Sequence, residues 1–243
     1  IDQCILLAII MDLKSTNPRE ELTAEQMNAY VNRLVLNPNN WMVHSTVLLL
    51  RSRMEADKSK TMDRAVLQLQ SLVDQYSAED QLHYTASQRI NYIYSLPYPP
   101  SYKLKRELAL QYLKLGLAKS ALQLFEELEL WSEIIQCYQV IGDQLKGQQV
   151  IQTQLNLLRA RHQDTPLARR GDQTEAELLC LMGDLTGVKD WYEQAWTVSN
   201  QSYTRAKRQI GHWWVKQGKF DEAIPHFEAA LKINPQYPSI WFT

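Results

Sequence analysis

Apolar positions along the chain recur at helical spacing, and the clearest case lies near its end. In Lys207–Gln217, Ile210, Trp213 and Trp214 mark a helix that Gly218 breaks, where the chain must turn through a conformation glycine tolerates. A second helix is expected from about Asp221 to Ile233, with Ala223, Phe227, Ala230 and Leu231 on one face, and Pro235 stops it. This helix–turn–helix unit of about 34 residues cannot bury its apolar face alone, so neighbours are expected upstream.

They are present. Tyr112, Gly116, Ala121 and Phe125 follow one another at steps of four, five and four residues. Tyr138, Gly142, Gly147 and Ile151 repeat those steps, and so do Trp214, Gly218, Ala223 and Phe227. The first large residue closes one helix, glycine makes the turn, and the small residue sits where the second helix crosses the first. The close approach of Gly116 and Gly142 in sequence requires a short second helix in the first of these units. A divergent unit is expected from Ala176 to about Asn200, with Leu179, Met182 and Gly183 on one helix and Trp191, Ala195 and Trp196 on the next. Arg159–Asp172, polar and holding Pro166 and Gly171, reads as an exposed loop.

Upstream the same periodicity predicts helices over Ile5–Leu13, over a segment bearing Met27, Tyr30, Val31 and Leu34, and from Trp41 to near Met54. Thr23–Gln26 reads as a capping box, Asn39 or Asn40 as the next cap, and Thr61 as the cap of a helix burying Ala65, Leu69, Leu72 and Val73. Ser77 or Glu79 opens a further helix carrying Leu82, Tyr84, Ile90 and Ile93. Pro97, Pro99 and Pro100 then interrupt the pattern, either as a stiff joint or as a polyproline ligand flanked by Tyr94, Tyr98 and Tyr102.

The expected fold is therefore all-α: a right-handed α-solenoid of antiparallel helix pairs, with irregular helical hairpins on the N-terminal side. Residues 1–96 form those hairpins, 97–101 the joint, and 102–243 the repeats (about 102–127, 128–161, 176–200 and 204–237). A further repeat is cut off at 238–243, so the chain reads as a fragment of a longer protein. With 243 residues, 45% apolar content, eight glycines and nine prolines, composition agrees with a helical protein.

Charge and chemistry narrow the function. The net charge of −1 gives no global field for a nucleic-acid backbone. Cys4, Cys137 and Cys180 are too scattered for a metal site and read as reduced core thiols, which points to a cytoplasmic or nuclear location. Ile5–Met11 is too short to span a membrane. No zinc-protease, nucleotide-binding or nucleophile-elbow motif occurs, so neither catalysis, nor a metal, nor a cofactor, nor a small-molecule substrate is expected. His212 and His226 lie on successive helices of one unit and are expected on different faces; Asp184 has no evident partner.

The helical-hairpin pattern resembles the tetratricopeptide repeat. Thr23–Gln26, Asn40–Val43, Leu48–Glu55, Ser120–Glu126, Ile233–Pro235 and Trp241–Phe242 together resemble the family of tetratricopeptide repeat protein 27, over most of the chain. The resemblance implies a protein-binding scaffold that works beside the Hsp90 chaperone system in assembling large complexes, ribonucleoprotein subunits among its partners. It implies a peptide groove lined by the first helix of each unit. Arg205, Arg208, His212 and Lys216 are expected to face it on the last unit, with Lys103, Arg106 and Lys114 on the first and Glu129, Ser132 and Gln136 on the second. Arg208 matches the basic residue of chaperone-tail clamps, whereas His212 and Thr243 stand where such clamps carry Asn. The adjacent Trp213 and Trp214 point about 100° apart, so Trp214 is expected in the repeat core and Trp213 against the neighbouring unit or a partner. An RNA-binding helical repeat is the alternative reading, carried by Arg159, Arg161, Arg169 and Arg170.

Overall fold

A computed structural model of the chain describes residues 2–18, 21–75, 87, 89, 91–164 and 173–241. Among them the regular structure is entirely helical. Two compact units divide the chain, Ile1–Leu128 and Glu129–Thr243.

The first unit contains α1 (Asp2–Thr16), α2 (Glu21–Leu36), α3 (Trp41–Glu55), α4 (Met62–Asp74), α5 (Ser101–Lys114) and α6 (Ala118–Glu127). Leu7, Ile10, Val31 and Val47 are buried in one apolar cluster; Leu49, Val66, Leu69, Leu104 and Leu108 are buried in another. Val47 and Leu49 both belong to α3, which is sandwiched between the clusters and is buried on most sides. Asn40 caps α3, its Oδ1 accepting from the N–H groups of Met42 (2.9 Å) and Val43 (3.2 Å). Chain on either side of the prolines meets: α4 packs on α5, and Arg53 of α3 donates two hydrogen bonds of 2.7 Å to the Glu107 carboxylate of α5. The proline segment is thus spanned by packing, and the unit boundary falls one hairpin later, after Leu128.

The second unit stacks three helix pairs: α7 (Trp131–Ile141) with α8 (Gln144–Asp164), α9 (Gln173–Thr186) with α10 (Lys189–Val198), and α11 (Thr204–Lys216) with α12 (Phe220–Ile233); the short α13 (Pro238–Trp241) follows. One buried cluster runs from Ile135 through Leu179 to Ile210. The first helices of the pairs lie side by side, α9 touching both α7 and α11.

The repeated large–Gly–small–large spacing has a common geometry. Gly116, Gly142 and Gly218 have φ of 80°, 83° and 73°. One residue beyond each, a backbone N–H reaches back to the first large residue: Leu117 to Tyr112 (2.8 Å), Asp143 to Tyr138 (3.1 Å) and Lys219 to Trp214 (3.1 Å). This is the Schellman closure of a helix end.

Several expectations need correction. Thr23 lies inside the first turn of α2, which is already helical at Glu21, so it does not cap that helix. Thr61 stands at the start of α4, but its hydroxyl donates to the Glu55 carbonyl (2.9 Å) rather than accepting from the helix. The expected loop is helical as far as Asp164, because Ile151, Leu155 and Leu158 pack into the core and hold α8 to 21 residues; 165–172 lie outside the described residues. Cys4 is exposed, while Cys137 and Cys180 are buried as expected. Of the helix expected after Ser77, residues 77, 79, 82, 84 and 90 lie outside the described residues, and Ile93 is exposed in a turn.

Candidate peptide-binding face

The expected basic strip lies on α11. Arg205, Arg208, His212 and Lys216 follow at steps of three, four and four, the spacing of one helix face. The structure gives each a different environment.

Arg205 sits in the first turn of α11, the end of a helix where a cation is disfavoured. Asp184 sits near the end of α9, where an anion is disfavoured in turn. They neutralise each other: Arg205 Nη2 donates to Asp184 Oδ2 at 2.8 Å, both side chains being about three-quarters buried. The second carboxylate oxygen, Oδ1, accepts from the Tyr192 hydroxyl at 2.8 Å. Burial, the largest influence, would lower the Arg205 pKa, but Asp184 and Tyr203 together outweigh it and the guanidinium stays charged. Burial, with the Asp184 hydrogen bond second, pushes the Tyr192 phenol well above its ordinary value. Cys180, beneath this network, is pushed up to about 12 chiefly by burial, so its thiol is inert. Arg205 is therefore a tie between α9 and α11, and its charge is consumed internally.

Arg208 lies half-buried with its guanidinium 5.2 Å from the centre of the Tyr237 ring. Stacked on an aromatic face, it keeps its donors for a ligand. His212 meets Phe227 edge-on, centroids 5.2 Å apart. Burial first, then Arg208 and Lys216, hold its pKa below the ordinary 6.5, so the ring is neutral at pH 7. Lys216 is exposed and pairs with no carboxylate among the described residues. His226 has other company: its Nδ1 stands 3.4 Å from Lys207 Nζ, so the two histidines do not form a pair. Among the described residues no cluster of three His, Cys, Asp or Glu could hold a metal.

Elsewhere the expected residues separate. Gln136 is exposed on α7, and Ser132 donates to Glu177 at 3.1 Å, joining α7 to α9. Glu129 precedes α7, in the left-handed region at φ 54°. Lys103 and Arg106 are exposed on α5 in the first unit, and Lys114 there lies 3.6 Å from Asp57. Of the arginines behind the RNA reading, Arg159 is bound to the buried Glu175 at 2.8 Å, and Arg169 and Arg170 lie outside the described residues. Trp213 donates its indole N–H to the Gly187 carbonyl (3.1 Å), which packs it on the preceding unit's turn. The Lys189 ammonium lies over both Trp213 and Trp214.

Asp184, Tyr192 and Tyr237 were missed from sequence, and one signal existed for Tyr192. Gly183, Gly187, Tyr192 and Trp196 keep the four–five–four steps with the volumes exchanged. Gly187 makes the turn at φ 70°. A Cβ on Gly183 would lie 2.6 Å from the Tyr192 ring, so the bulk comes from the second helix into a notch in the first.

Comparison with known proteins agrees with this geometry. The tetratricopeptide repeat profile matches residues 204–237, which span α11 and α12. The fold and the match define a helical-repeat protein of the tetratricopeptide class, a scaffold for protein interaction. Over its whole length the chain is 35% identical to a tetratricopeptide repeat protein 27 homolog of Dictyostelium discoideum, covering 26% of that protein. It is 32% identical to a TPR repeat-containing protein of Schizosaccharomyces pombe, covering 32% of it. It is 27% identical to the Saccharomyces cerevisiae protein named Essential for maintenance of the cell wall protein 1, across 98% of this chain and 26% of that one. Along nearly its whole length the chain is thus similar to tetratricopeptide repeat protein 27 and its relatives, and it spans between a quarter and a third of these relatives' length. No helix among the described residues is long and apolar enough to cross a membrane.

Proposed function

We propose that the α11 face of the second unit binds an extended acidic peptide, with Arg208 and Lys216 as its cations and His212 as a neutral hydrogen-bonding group between them. The observation that carries the reading is the division of labour along α11: Arg205 is neutralised by Asp184, while Arg208 rests on a ring and Lys216 on solvent. A charge already paired inside the protein adds little to binding, whereas one held by an aromatic face needs no rearrangement to meet a carboxylate. In this reading the longer protein is a non-catalytic assembly factor, cytoplasmic or nuclear, that works with the Hsp90 chaperone system on large ribonucleoprotein complexes. The family resemblance supports that wider role.

The test is recovery of partners by the full-length protein carrying Arg208→Glu and Lys216→Glu. Loss of acidic-peptide binding and of co-purifying chaperone components is expected, with the helical circular dichroism unchanged. Full recovery of both would reject this face as the site. Arg205→Glu is unsuitable as the test variant, because it sets two carboxylates against each other across α9 and α11.

A further inference from the structure

Outside the α11 face, the first unit displays a short proline-rich strap between α4 and α5. We infer that Pro99-Pro100-Ser101-Tyr102 is a docking ligand for a proline-reading module of the WW class, one whose groove pairs an aromatic cradle for proline with an apolar slot for tyrosine.

The sequence pre-sets the conformation. Each proline ring fixes its own φ, and a residue before proline is kept out of the helical region, so Leu96, Tyr98 and Pro99 are all biased to extended backbone. Pro100 has φ −65° and ψ 160°, the polyproline II region. Residues 97–100 carry no helix or strand. Immediately afterwards the chain enters α5, and the Pro100 carbonyl accepts from the N–H groups of Lys103 (3.0 Å) and Leu104 (3.2 Å). Extended prolines running into a helical turn bring Pro99 and Tyr102, three residues apart, towards the same side.

The side chains are divided between anchoring and display. Tyr98 turns inward: it packs against the Leu49–Leu104 cluster and meets Trp41 edge-on at 6.0 Å. Pro100 is exposed, and Tyr102 is 56% exposed at the start of α5. A large ring so exposed contributes little to the core beneath it. Because Tyr98 holds the strap and α5 holds its end, the ordering that a free peptide undergoes on binding has largely taken place already. Pro97 and Pro100 also stand at the spacing that SH3-type grooves read. However, Tyr98 N–H donates to the Leu96 carbonyl at 2.8 Å, closing a tight turn about Pro97 that departs from polyproline II there. The extended portion begins after it, at Pro99-Pro100, and runs straight into α5 with Tyr102 in the first turn, which favours the WW class.

The experiment is a titration of a fluorescently labelled, isolated WW module that reads Pro-Pro-x-Tyr with the intact chain, beside a synthetic peptide covering residues 94–106. Saturable binding of the intact chain is expected. Tyr102→Ala and Pro100→Ala should each weaken it by about tenfold or more, as for a buried anchor of a small interface. Tyr94→Ala, which removes a fully exposed ring outside the motif, should leave it unchanged. Circular dichroism and the denaturation midpoint of each variant establish that the fold persists. Binding of the peptide without binding of the intact chain would overturn the proposal, since the fold would then be covering the motif. Equal affinity of Tyr102→Ala and the native chain would also overturn it, as would an SH3 module binding the intact chain in place of the WW module.

Discussion

At Gly211 one hydrogen stands where any other residue would place a carbon 2.5 Å from Cε1 of Phe227. That ring fills the crossing of α11 and α12, so room for it has to come from the backbone. Gly211→Ala is expected to destabilise the chain by about 1–3 kcal/mol through overpacking. Phe227→Leu in the same chain should return part of the loss, so that the two changes together cost less than their sum by urea denaturation. The histidines give a second prediction at this scale. His44, His212 and His226 all titrate below the ordinary 6.5, each chiefly because of burial, with neighbouring Arg and Lys cations adding to the effect at His212 and His226. The unfolded chain therefore takes up protons first as pH falls through 6.5, and stability present above that value is lost below it. The denaturation midpoint should drop between pH 7.5 and 5.5. His226→Gln should make the drop shallower if its lysine neighbours act as described.

Helix ends and interruptions decide the behaviour of whole elements. Asn40 satisfies two N–H groups at the head of α3, the helix both apolar clusters of the first unit share. Asn40→Ala should cost about 1 kcal/mol, read from the shift in denaturation midpoint. In α12 the exposed Pro225 sits inside the helix and removes the hydrogen bond its N–H would give to the Asp221 carbonyl. Since its ring is exposed, Pro225→Ala should stabilise the chain by about 1–3 kcal/mol. Much at this scale was legible beforehand. The apolar spacing located α2, α4 and the α11–α12 pair, which each bury one face, and α3, whose apolar residues serve both clusters of the first unit. What escaped was fixed by neighbours rather than by local pattern. The tail of α8 looks like a loop in isolation, yet Leu155 and Leu158 reach the core. Thr23 offers a good cap in sequence, but the helix starts before it.

Across the molecule, two bodies with their own cores imply two separable losses of structure. Leu179 is fully buried in the cluster of the second unit. Leu179→Ala should lower that unit's stability by about 2–5 kcal/mol. In hydrogen exchange, amides of α7–α12 should lose protection while those of α1–α5 keep theirs, as expected where helix pairs support chiefly their neighbours. Candidate binding residues were less legible than the fold. The sequence placed Arg205, Arg208, His212 and Lys216 on one face, and they share it. It could not show that Arg205 is already bound, since its acid lies twenty-one residues upstream on another helix. The divergent α9–α10 pair was found only in outline, because Gly183 and Tyr192 invert the volumes by which the other units are recognised.

That inversion alters chemistry as well as shape. Elsewhere the large residue four before the turn glycine, Tyr138 or Trp214, belongs to the inner rod, the first helix of its pair, although Phe227 of an outer rod also enters the Gly211 notch. In α9–α10 the bulky group comes from the outer rod, and the ring passes through the Gly183 notch far enough for its hydroxyl to reach the carboxylate that holds Arg205 of the following hairpin. The Asp184 carboxylate thereby fastens three helices, so shortening Tyr192 to Phe would leave the notch filled and yet remove one of the two hydrogen bonds that hold that carboxylate towards Arg205.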